Sequence, residues 1–506
     1  MVTRSQRFVR TLVSGYGSIV ANLIFTMASI PLALDYLSKE QFGLWALALQ
    51  VNGYLSLLEL GMGSATLRFV ADHKDDVDGG EYGSLLLTGG WVFAIQGLIV
   101  GLAGVGISAW APSLFAIPSE LSGDFTRVLA TLASITGISI MSRMFGVPLW
   151  AFQRLDVVNG LDSAGLLLRL LLMWLGFHLG LGIDSLAWAQ LLPTLITLVA
   201  SWRLCLRNGY YPRRGCWGRP RWDIFIALFS FARDTLLLSL GSQMVNASQI
   251  TIISRFLGLD AAASFSIATK LYAMVQQVFH KVVESATPGL VEMHVRGENE
   301  QFIQRYREII SITLGMSTVG SVFIVVGNSA FVSIWTNHSV LWLLGNDVTL
   351  GILVVLTGLS RCFVGVFGIV KNLHAVRLLY FLEGVVYIPS AILAAMWYGL
   401  PGVLIASAVS HLAVTSFYSA RAASGVLGSW LPLLSTVAIS GLLIGFATLV
   451  AWIGTILEAP PLLRLSLVAP LGLCSIVAMW FFAIPINIRI RVKNAITSRL
   501  GITCRI

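Results

Sequence analysis

Charged residues are scarce in this chain. Only 11% of its 506 residues are Asp, Glu, Lys or Arg, whereas 56% are apolar, and the mean hydropathy is +0.82. A soluble globular protein carries about 25% charged residues, and one core could not bury this much apolar surface. The composition therefore excludes a soluble protein and indicates a chain that crosses a membrane many times.

Cysteines are also few, and no segment between the apolar runs is long enough to form a domain. The five cysteines have no paired spacing that would predict a disulfide framework or a metal site. The longest loop on the predicted outer side, at 110–127, contains two prolines and no pattern of catalytic residues. We therefore predict that the protein has no cofactor and is not an enzyme.

Fourteen apolar runs are each at least about 20 residues long, which is the length of a transmembrane helix. The prediction is an all-α polytopic membrane protein. Because an even count places both termini on one side, and most of the 33 Lys and Arg residues lie in loops on that side, both termini are expected in the cytoplasm. The runs lie near 11–34, 43–70, 82–109, 128–150, 157–180, 185–205, 224–254, 259–290, 308–334, 348–370, 377–398, 401–420, 431–455 and 463–485.

The net charge of +9 comes from these short inner loops. Membrane topology and anionic lipid head groups account for basic loops of this kind, so we expect membrane lipids and no nucleic acid as partners. The densest basic cluster, at 203–221, follows the sixth run. We interpret it as a cytoplasmic linker between two lobes.

An internal repeat divides the chain. Residues 36–73 return in degraded form at 256–294, about 220 residues later, and the tetrad SRxF at 142–145 returns at 360–363. Two lobes of six helices result, related by a parallel repeat about an axis along the membrane normal, with two helices left over. The predicted parts are an N-lobe at 1–205, a basic linker at 206–222, a C-lobe at 223–421, and spans thirteen and fourteen with a basic tail at 422–506.

Two motifs around the second run carry a family resemblance. Residues 37–45 are LSKEQFGLW, residues 58–65 are LELGMGSA, and Arg68 follows. With spans in the order six, six and two, these residues resemble the polysaccharide (O-antigen type) flippases of the multidrug/oligosaccharidyl-lipid/polysaccharide superfamily. The resemblance implies a bacterial inner-membrane protein that moves an undecaprenyl-pyrophosphate-linked oligosaccharide from the cytoplasmic to the periplasmic leaflet by alternating access.

The same resemblance suggests partners and an energy source. The substrate is a lipid-linked oligosaccharide for surface polysaccharide assembly, and the polysaccharide polymerase and export proteins are candidate partners of a flippase that we expect to be monomeric. Three alternatives stay open for the cycle: coupling to H⁺, coupling to Na⁺, or no coupled ion. Bending in spans two and eight is expected to accompany the change between inward-open and outward-open states.

A pyrophosphate head group is anionic and hydrated, so its path needs polar and preferably cationic side chains. Lys270 lies about eleven residues into the predicted eighth span, hence roughly 16 Å deep at 1.5 Å per residue, and Gln50 is its counterpart in the repeat. The candidate substrate-binding residues are Lys270, Arg361, Arg143, Gln50, Arg68 and Arg255.

Each arginine in this set has a structural alternative. Arg68 and Arg255 lie near span ends, from which long basic side chains extend to the lipid head groups. For Arg143 and Arg361 the alternative is an ion pair between helices.

Two aligned residues, Glu59 and His280, are candidates for ion coupling, because histidine titrates near neutral pH. The alternative for Glu59 is that it neutralises Lys270 or Arg68. The histidines near other span ends, His178, His338 and His411, are expected to be inert.

The sequence lacks features that are expected of two other functional classes. A multidrug antiporter that exports cations would be expected to carry an acidic residue in the middle of its first span, but residues 11–34 contain no charge. A membrane-bound polymerase or glycosyltransferase would be expected to carry a large periplasmic loop with catalytic residues, which this sequence lacks. The antiporter is the main alternative to the flippase.

Overall fold

A computed structural model of the protein describes residues 4–369, 373–428, 431–484 and 489–490. These residues are almost entirely helical, and the described ranges contain no strand. The predicted all-α fold is confirmed. The chain forms two compact units, Met1–Ala263 and Ser264–Ile506. The predicted lobe boundaries stay a prediction, and residues 491–506 of the predicted tail lie outside the described residues.

The first unit contains ten helices and the start of an eleventh among its described residues. A short 3₁₀ turn, Leu57–Glu59, separates the second helix from the third. In chain order the helices are α1 (Arg4–Tyr36), α2 (Lys39–Ser56), α3 (Met62–Asp72), α4 (Glu81–Leu114), α5 (Ser119–Ala151), α6 (Leu155–His178), α7 (Asp184–Trp188), α8 (Leu191–Arg207), α9 (Trp222–Asn246), α10 (Ser248–Leu257) and α11 (Leu259–Ala268).

The second unit contains the other helices and two π-helical segments. One segment, His411–Ser416, follows α15 directly, and the other, Met479–Ala483, ends the described part of the last helix. The helices are α12 (Lys270–Val295), α13 (Asn299–Trp335), α14 (Leu344–Ile369), α15 (Leu373–Ser410), α16 (Phe417–Leu427), α17 (Leu431–Ile456), α18 (Pro461–Ser466) and α19 (Val468–Ala478).

Among the described residues, 10 helical segments are long and apolar enough to cross a membrane. One of them, Leu379–Gly425, covers the predicted spans at 377–398 and 401–420, and non-helical Gly399 lies between the two. Three further predicted spans, at 43–70, 224–254 and 259–290, are each divided into two helices and are not among the 10 segments. Those at 185–205 and 463–485 are also divided, but each coincides with one of the segments. A multi-pass membrane protein is confirmed, whereas the count of fourteen stays a prediction.

The break in the predicted second span follows from the LGMG sequence. Leu60 and Gly61 both adopt left-handed backbone conformations, with φ of 56° and 73°, and α3 begins at the next residue. Glycine adopts such a conformation without steric cost, so Gly61 permits the turn. The turn places Glu59 beside α4, whose Gln96 side chain donates a hydrogen bond to the Glu59 carbonyl oxygen at 2.8 Å.

The SKEQFG sequence fixes the start of α2. Ser38 and Gln41 form a capping box, in which each side chain accepts a hydrogen bond from the other residue's backbone N–H. Lys39 forms an ion pair of 3.0 Å with Asp260, and a Cβ atom on Gly43 would overlap the backbone of Leu259. The LSKEQFGLW motif therefore specifies the start of a helix and a close approach of two chain segments.

The predicted linker at 206–222 packs against the start of α4. The Tyr82 hydroxyl donates to the Tyr210 carbonyl oxygen at 2.9 Å, and the backbone N–H of Arg219 donates to Ser84 Oγ at 3.2 Å. A Cβ atom on Gly83 would overlap the backbone of Trp217. These contacts hold the basic segment in one path along the first unit.

Candidate functional site

A cavity of about 490 Å³ with a mixed polar and apolar lining lies within the first unit. Hydroxyl groups, one guanidinium and one carboxylate line it together with apolar side chains, so a hydrated ligand would find hydrogen-bond partners there. Its lining residues are Gly63, Ser64, Leu67, Phe93, Ser139, Ser142, Arg143, Gly146, Val147, Leu149, Trp150, Val158, Leu161, Asp162, Thr197, Leu198 and Ser201.

Arg143, from α5, forms an ion pair with Glu59 at the edge of this cavity. The Arg143 side chain is 46% exposed and that of Glu59 is 14% exposed. A Cβ atom on Gly63 would lie 3.0 Å from Arg143 Nη1, so glycine leaves the space that the guanidinium occupies. With Asp162 on the cavity wall and Glu59 paired to Arg143 at its edge, the half-exposed guanidinium has two carboxylates in its surroundings, and the site is not purely cationic. The ion pair foreseen as the structural alternative for Arg143 is present.

In the second unit, α12 and α14 face each other through polar side chains. Gln276 donates to the Tyr272 hydroxyl at 2.7 Å and to Thr357 Oγ1 at 3.0 Å. One turn further along both helices, the charge of Arg361 acts on the ring of His280. The predicted coupling residue His280 therefore lies near a predicted substrate-binding arginine of its own unit.

A second polar network of this unit connects α14, α15 and the first π-helical segment. Glu383 Oε1 lies 2.8 Å from His411 Nδ1, and Thr415 donates to the other carboxylate oxygen. His411 Nε2 lies 3.1 Å from Ser360 Oγ, which lies 2.8 Å from Ser416 Oγ. The structure places His411 within the apolar segment Leu379–Gly425 and not at its end. The prediction that His411 lies near the end of a span is therefore wrong. That the residue is inert stays a prediction.

The remaining predicted residues lie at less enclosed positions. Arg68 is 65% exposed and pairs with Asp72 of its own helix at 3.5 Å. Arg255 is exposed in the last turn of α10, with its guanidinium 5.8 Å from the Phe256 ring centre. These surroundings fit the alternative in which both arginines extend to the membrane surface.

Lys270 and Gln50 are both half-buried. Lys270 is the first residue of α12, immediately after the break at Thr269, whereas Gln50 lies within the continuous part of α2. The two belong to different units, as do Glu59 and His280. Within single units, the structure brings together Arg143 with Glu59 and Arg361 with His280.

Arg154 lies just outside the membrane-spanning segments, in the turn between α5 and α6. It forms an ion pair of 3.1 Å with Asp156, and its guanidinium donates to the Tyr210 hydroxyl at 3.4 Å. These hydrogen bonds, the one to Asp156 first, raise the pKa of Arg154 above its ordinary value. Arg154 is therefore a fixed positive charge that holds this turn against the linker.

The profile of the family described as "Polysaccharide biosynthesis protein" matches residues 10–294, which include the first unit and its cavity. The chain belongs to this family. No curated protein sequence was matched. The resemblance inferred from the motifs around α2 is thereby confirmed at the level of the family.

Solved structures with a similar fold include multidrug transporters and a lipid flippase. An inward-facing multidrug resistance transporter of the MATE family is 15% identical with a TM-score of 0.70, covering 80% of this chain and 95% of its own. The lipid II flippase MurJ, in an inward closed conformation, is 12% identical with a TM-score of 0.67, covering 93% and 98%. A transporter from Pyrococcus furiosus is 14% identical with a TM-score of 0.56, covering 83% and 95%. At these identities the similarity shows the fold alone.

Proposed function

We propose that this protein is a flippase that moves an undecaprenyl-pyrophosphate-linked oligosaccharide from the cytoplasmic to the periplasmic leaflet of the bacterial inner membrane, for surface polysaccharide assembly. The observation that carries the proposal is the family match over residues 10–294. A family of polysaccharide biosynthesis acts on sugars. Most of this chain lies in apolar helices, so the sugar has to be handled within the membrane.

The cavity of the first unit supports a sugar ligand. Serine and threonine hydroxyls at Ser139, Ser142, Thr197 and Ser201 can donate and accept hydrogen bonds, as sugar hydroxyls do. Arg143 is half exposed and can offer its free guanidinium N–H groups to phosphate oxygens. Head-group binding at Arg143 is therefore compatible with the Glu59 ion pair.

The second unit supports a lipid ligand. A groove of about 380 Å³ lies between α12, α13 and the last helix, and its lining is almost wholly apolar. An isoprenoid chain needs such a surface, because it offers no hydrogen bonds. The groove is lined by Val275, Val278, Phe279, Ile312, Gly315, Met316, Val319, Gly320, Phe323, Ile476, Met479, Trp480 and Ile484.

A cation or drug antiporter is the second candidate, because the MATE transporter with a TM-score of 0.70 has the same fold. The first membrane segment, Val13–Tyr36, argues against it. Its acidic residue is Asp35, next to the outer end, and no acid lies at the depth where a cation would cross.

The test uses purified protein in liposomes that contain a labelled polyprenyl-pyrophosphate oligosaccharide, with an impermeant glycosidase outside. We expect wild-type protein to expose the inner pool within minutes and Arg143→Ala to slow this strongly. Arg127→Ala is the matched control, since Arg127 is on the same helix but pairs with Asp124 and Asp184 at the outer surface. If the glycosidase cleaves no faster than in protein-free liposomes and the protein takes up cationic drugs, the flippase proposal is wrong and the antiporter is supported.

A further inference from the structure

The polar network around Glu383 and His411 has no role in the function described so far. Its five side chains come from α14, α15 and the π-helical segment, and each hydrogen bond is between side chains. Three of the five members lie in the π-helical segment His411–Ser416. π-helical insertions are uncommon and are concentrated at functional sites.

The network is enclosed. Glu383 is 1% exposed and Thr415 is 0% exposed, whereas the His411 side chain keeps 12% of its surface accessible. A carboxylate in such a place is costly unless a positive charge or a proton compensates it. With one added proton the Glu383–His411 pair is neutral overall, and without it the pair carries a net negative charge. A proton on the pair therefore offsets the charge that this enclosed site would otherwise carry, and His411 is its more accessible member.

The hydroxyls can adapt to both protonation states. When the imidazole carries two protons, Nδ1–H donates to Glu383 and Nε2–H donates to Ser360, whose own hydroxyl donates to Ser416. When Nε2 loses its proton, both hydroxyls turn round: Ser416 donates to Ser360, and Ser360 donates to Nε2. Every polar atom in this part of the network keeps a partner in each state, so proton exchange needs only hydroxyl rotation.

Among the described residues, the charged and titratable neighbours include Arg361 and buried Cys362 on α14, Tyr272 on α12, Tyr380 and buried Tyr387 on α15, and exposed Arg421 on the adjoining α16. The Glu383 charge acts on both tyrosines, and the Arg361 charge acts on Tyr380 and Cys362. The Glu383 carboxylate is the negative group to which His411 is bonded, and Arg361 is the nearby permanent positive charge.

We propose that Glu383 and His411 form a proton-binding site in the second unit, with Ser360 and Ser416 as its hydroxyl relay. The bound proton comes from water, is held on His411 Nε2 and returns to water, so no other bond forms or breaks. Loss of the proton weakens the hydrogen bond between Glu383 and His411, which joins α15 to the π-helical segment. That the proton drives lipid movement rests on the proposed flippase function; proton binding itself does not.

Histidine side-chain ¹⁵N spectra of the purified full chain in lipid nanodiscs test the site directly. We expect one ring to change its two nitrogen signals between about pH 5 and pH 8, and those signals to be missing from His411→Gln. In Glu383→Gln, which keeps the side-chain shape, the same ring is expected to stay neutral across that range, because the imidazolium has lost its counter-charge. A His411 ring that does not titrate in the wild type would overturn the proposal.

Liposome assays test whether proton binding at this site is coupled to lipid movement. An imposed pH gradient is expected to change the rate of lipid movement severalfold in the wild type and in His338→Gln, an exposed outer histidine that bonds Ser333. Glu383→Gln and His411→Gln should keep basal movement but lose the gradient effect, and Ser360→Ala should slow the response. Full gradient dependence in both pair variants would refute coupling at this site. No lipid movement in any protein, with His411 still titrating, would refute the flippase and leave the proton site.

Discussion

Arg143 is ion-paired with Glu59 in the first unit, and the charge of Arg361 acts on His280 in the second. The two arginines are equivalent members of the repeated SRxF tetrad, and Glu59 and His280 are equivalent in the longer repeat. The duplicated sequence therefore places an arginine and a titratable residue at equivalent positions of both units, and in the first unit the two form an ion pair. The alignment of Glu59 with His280 reflects these equivalent positions.

The Glu59–Arg143 pair predicts a measurable coupling. We expect a double-mutant cycle with Glu59→Gln and Arg143→Gln to give about 1 kcal/mol, because solvent screens the half-exposed guanidinium. Thermal unfolding of the purified variants in detergent provides the measurement. The control cycle is Arg68 with Asp72, an exposed pair within α3, which should give almost none. Equal coupling energies in the two cycles would mean that the Glu59–Arg143 ion pair stabilises the protein no more than an exposed surface pair does.

Much of the fold could be predicted because each membrane crossing needs an apolar run, and such runs are visible in sequence. The breaks within these apolar runs were harder to predict. Leu60 is as apolar as Leu57 and Leu58, yet it adopts a left-handed conformation that ends a helical run. Hydrophobicity reports which residues lie in the membrane but not their φ angles, so the divided spans appear only in the structure.

The site was predictable in part for the same reason. Arg143 and Arg361 stand out as charges within apolar runs, and the repeat suggested their equivalence. The Glu383–His411 contact joins residues on two successive helical stretches, and Ser360 comes from another helix. A buried Glu383 could have suggested that a partner exists, but only the tertiary packing identifies it as His411.

Gly43 is expected to be essential for stability. A side chain at this position would overlap the Leu259 backbone, which cannot move away as a flexible side chain can. We expect Gly43→Ala to lower the free energy of unfolding by about 1–3 kcal/mol. Gly106→Ala on α4 is the control, since its Cβ would meet nothing within 4 Å. A melting temperature of Gly43→Ala equal to that of the control would contradict the close approach.

Asp347 is predicted to be a structural residue with no part in transport. Its carboxylate is 0% exposed and accepts hydrogen bonds from Asn328 at 2.7 Å, the Ser329 backbone N–H at 3.0 Å and Trp342 at 2.8 Å. Asp347→Ala leaves three buried donors without this acceptor, which should cost about 3 kcal/mol or more.

The control for Asp347 is Thr349→Ala, because the Thr349 hydroxyl donates within α14, to the Gly345 carbonyl oxygen, and the half-buried residue lies on the same helix. We expect this variant to unfold at the wild-type temperature. Asp347→Asn keeps one carbonyl acceptor and should fall between the two. Lipid movement per folded molecule is expected to be the same in all three variants, and a selective loss in Asp347→Asn would instead give this carboxylate a role in transport.

Filling the cavity of the first unit separates transport from folding. Gly146 lines the cavity, and its Cβ direction meets nothing within 4 Å, so Gly146→Trp should place an indole in the space without displacing a neighbour. We expect lipid movement in liposomes to fall at least about tenfold while the melting temperature stays near that of the wild type, since a tenfold loss needs only about 1.4 kcal/mol of barrier. Gly160→Trp is the matched control, because Gly160 is equally unobstructed but exposed and outside the cavity wall. If both variants move lipid at the same rate, the head group does not pass through this cavity.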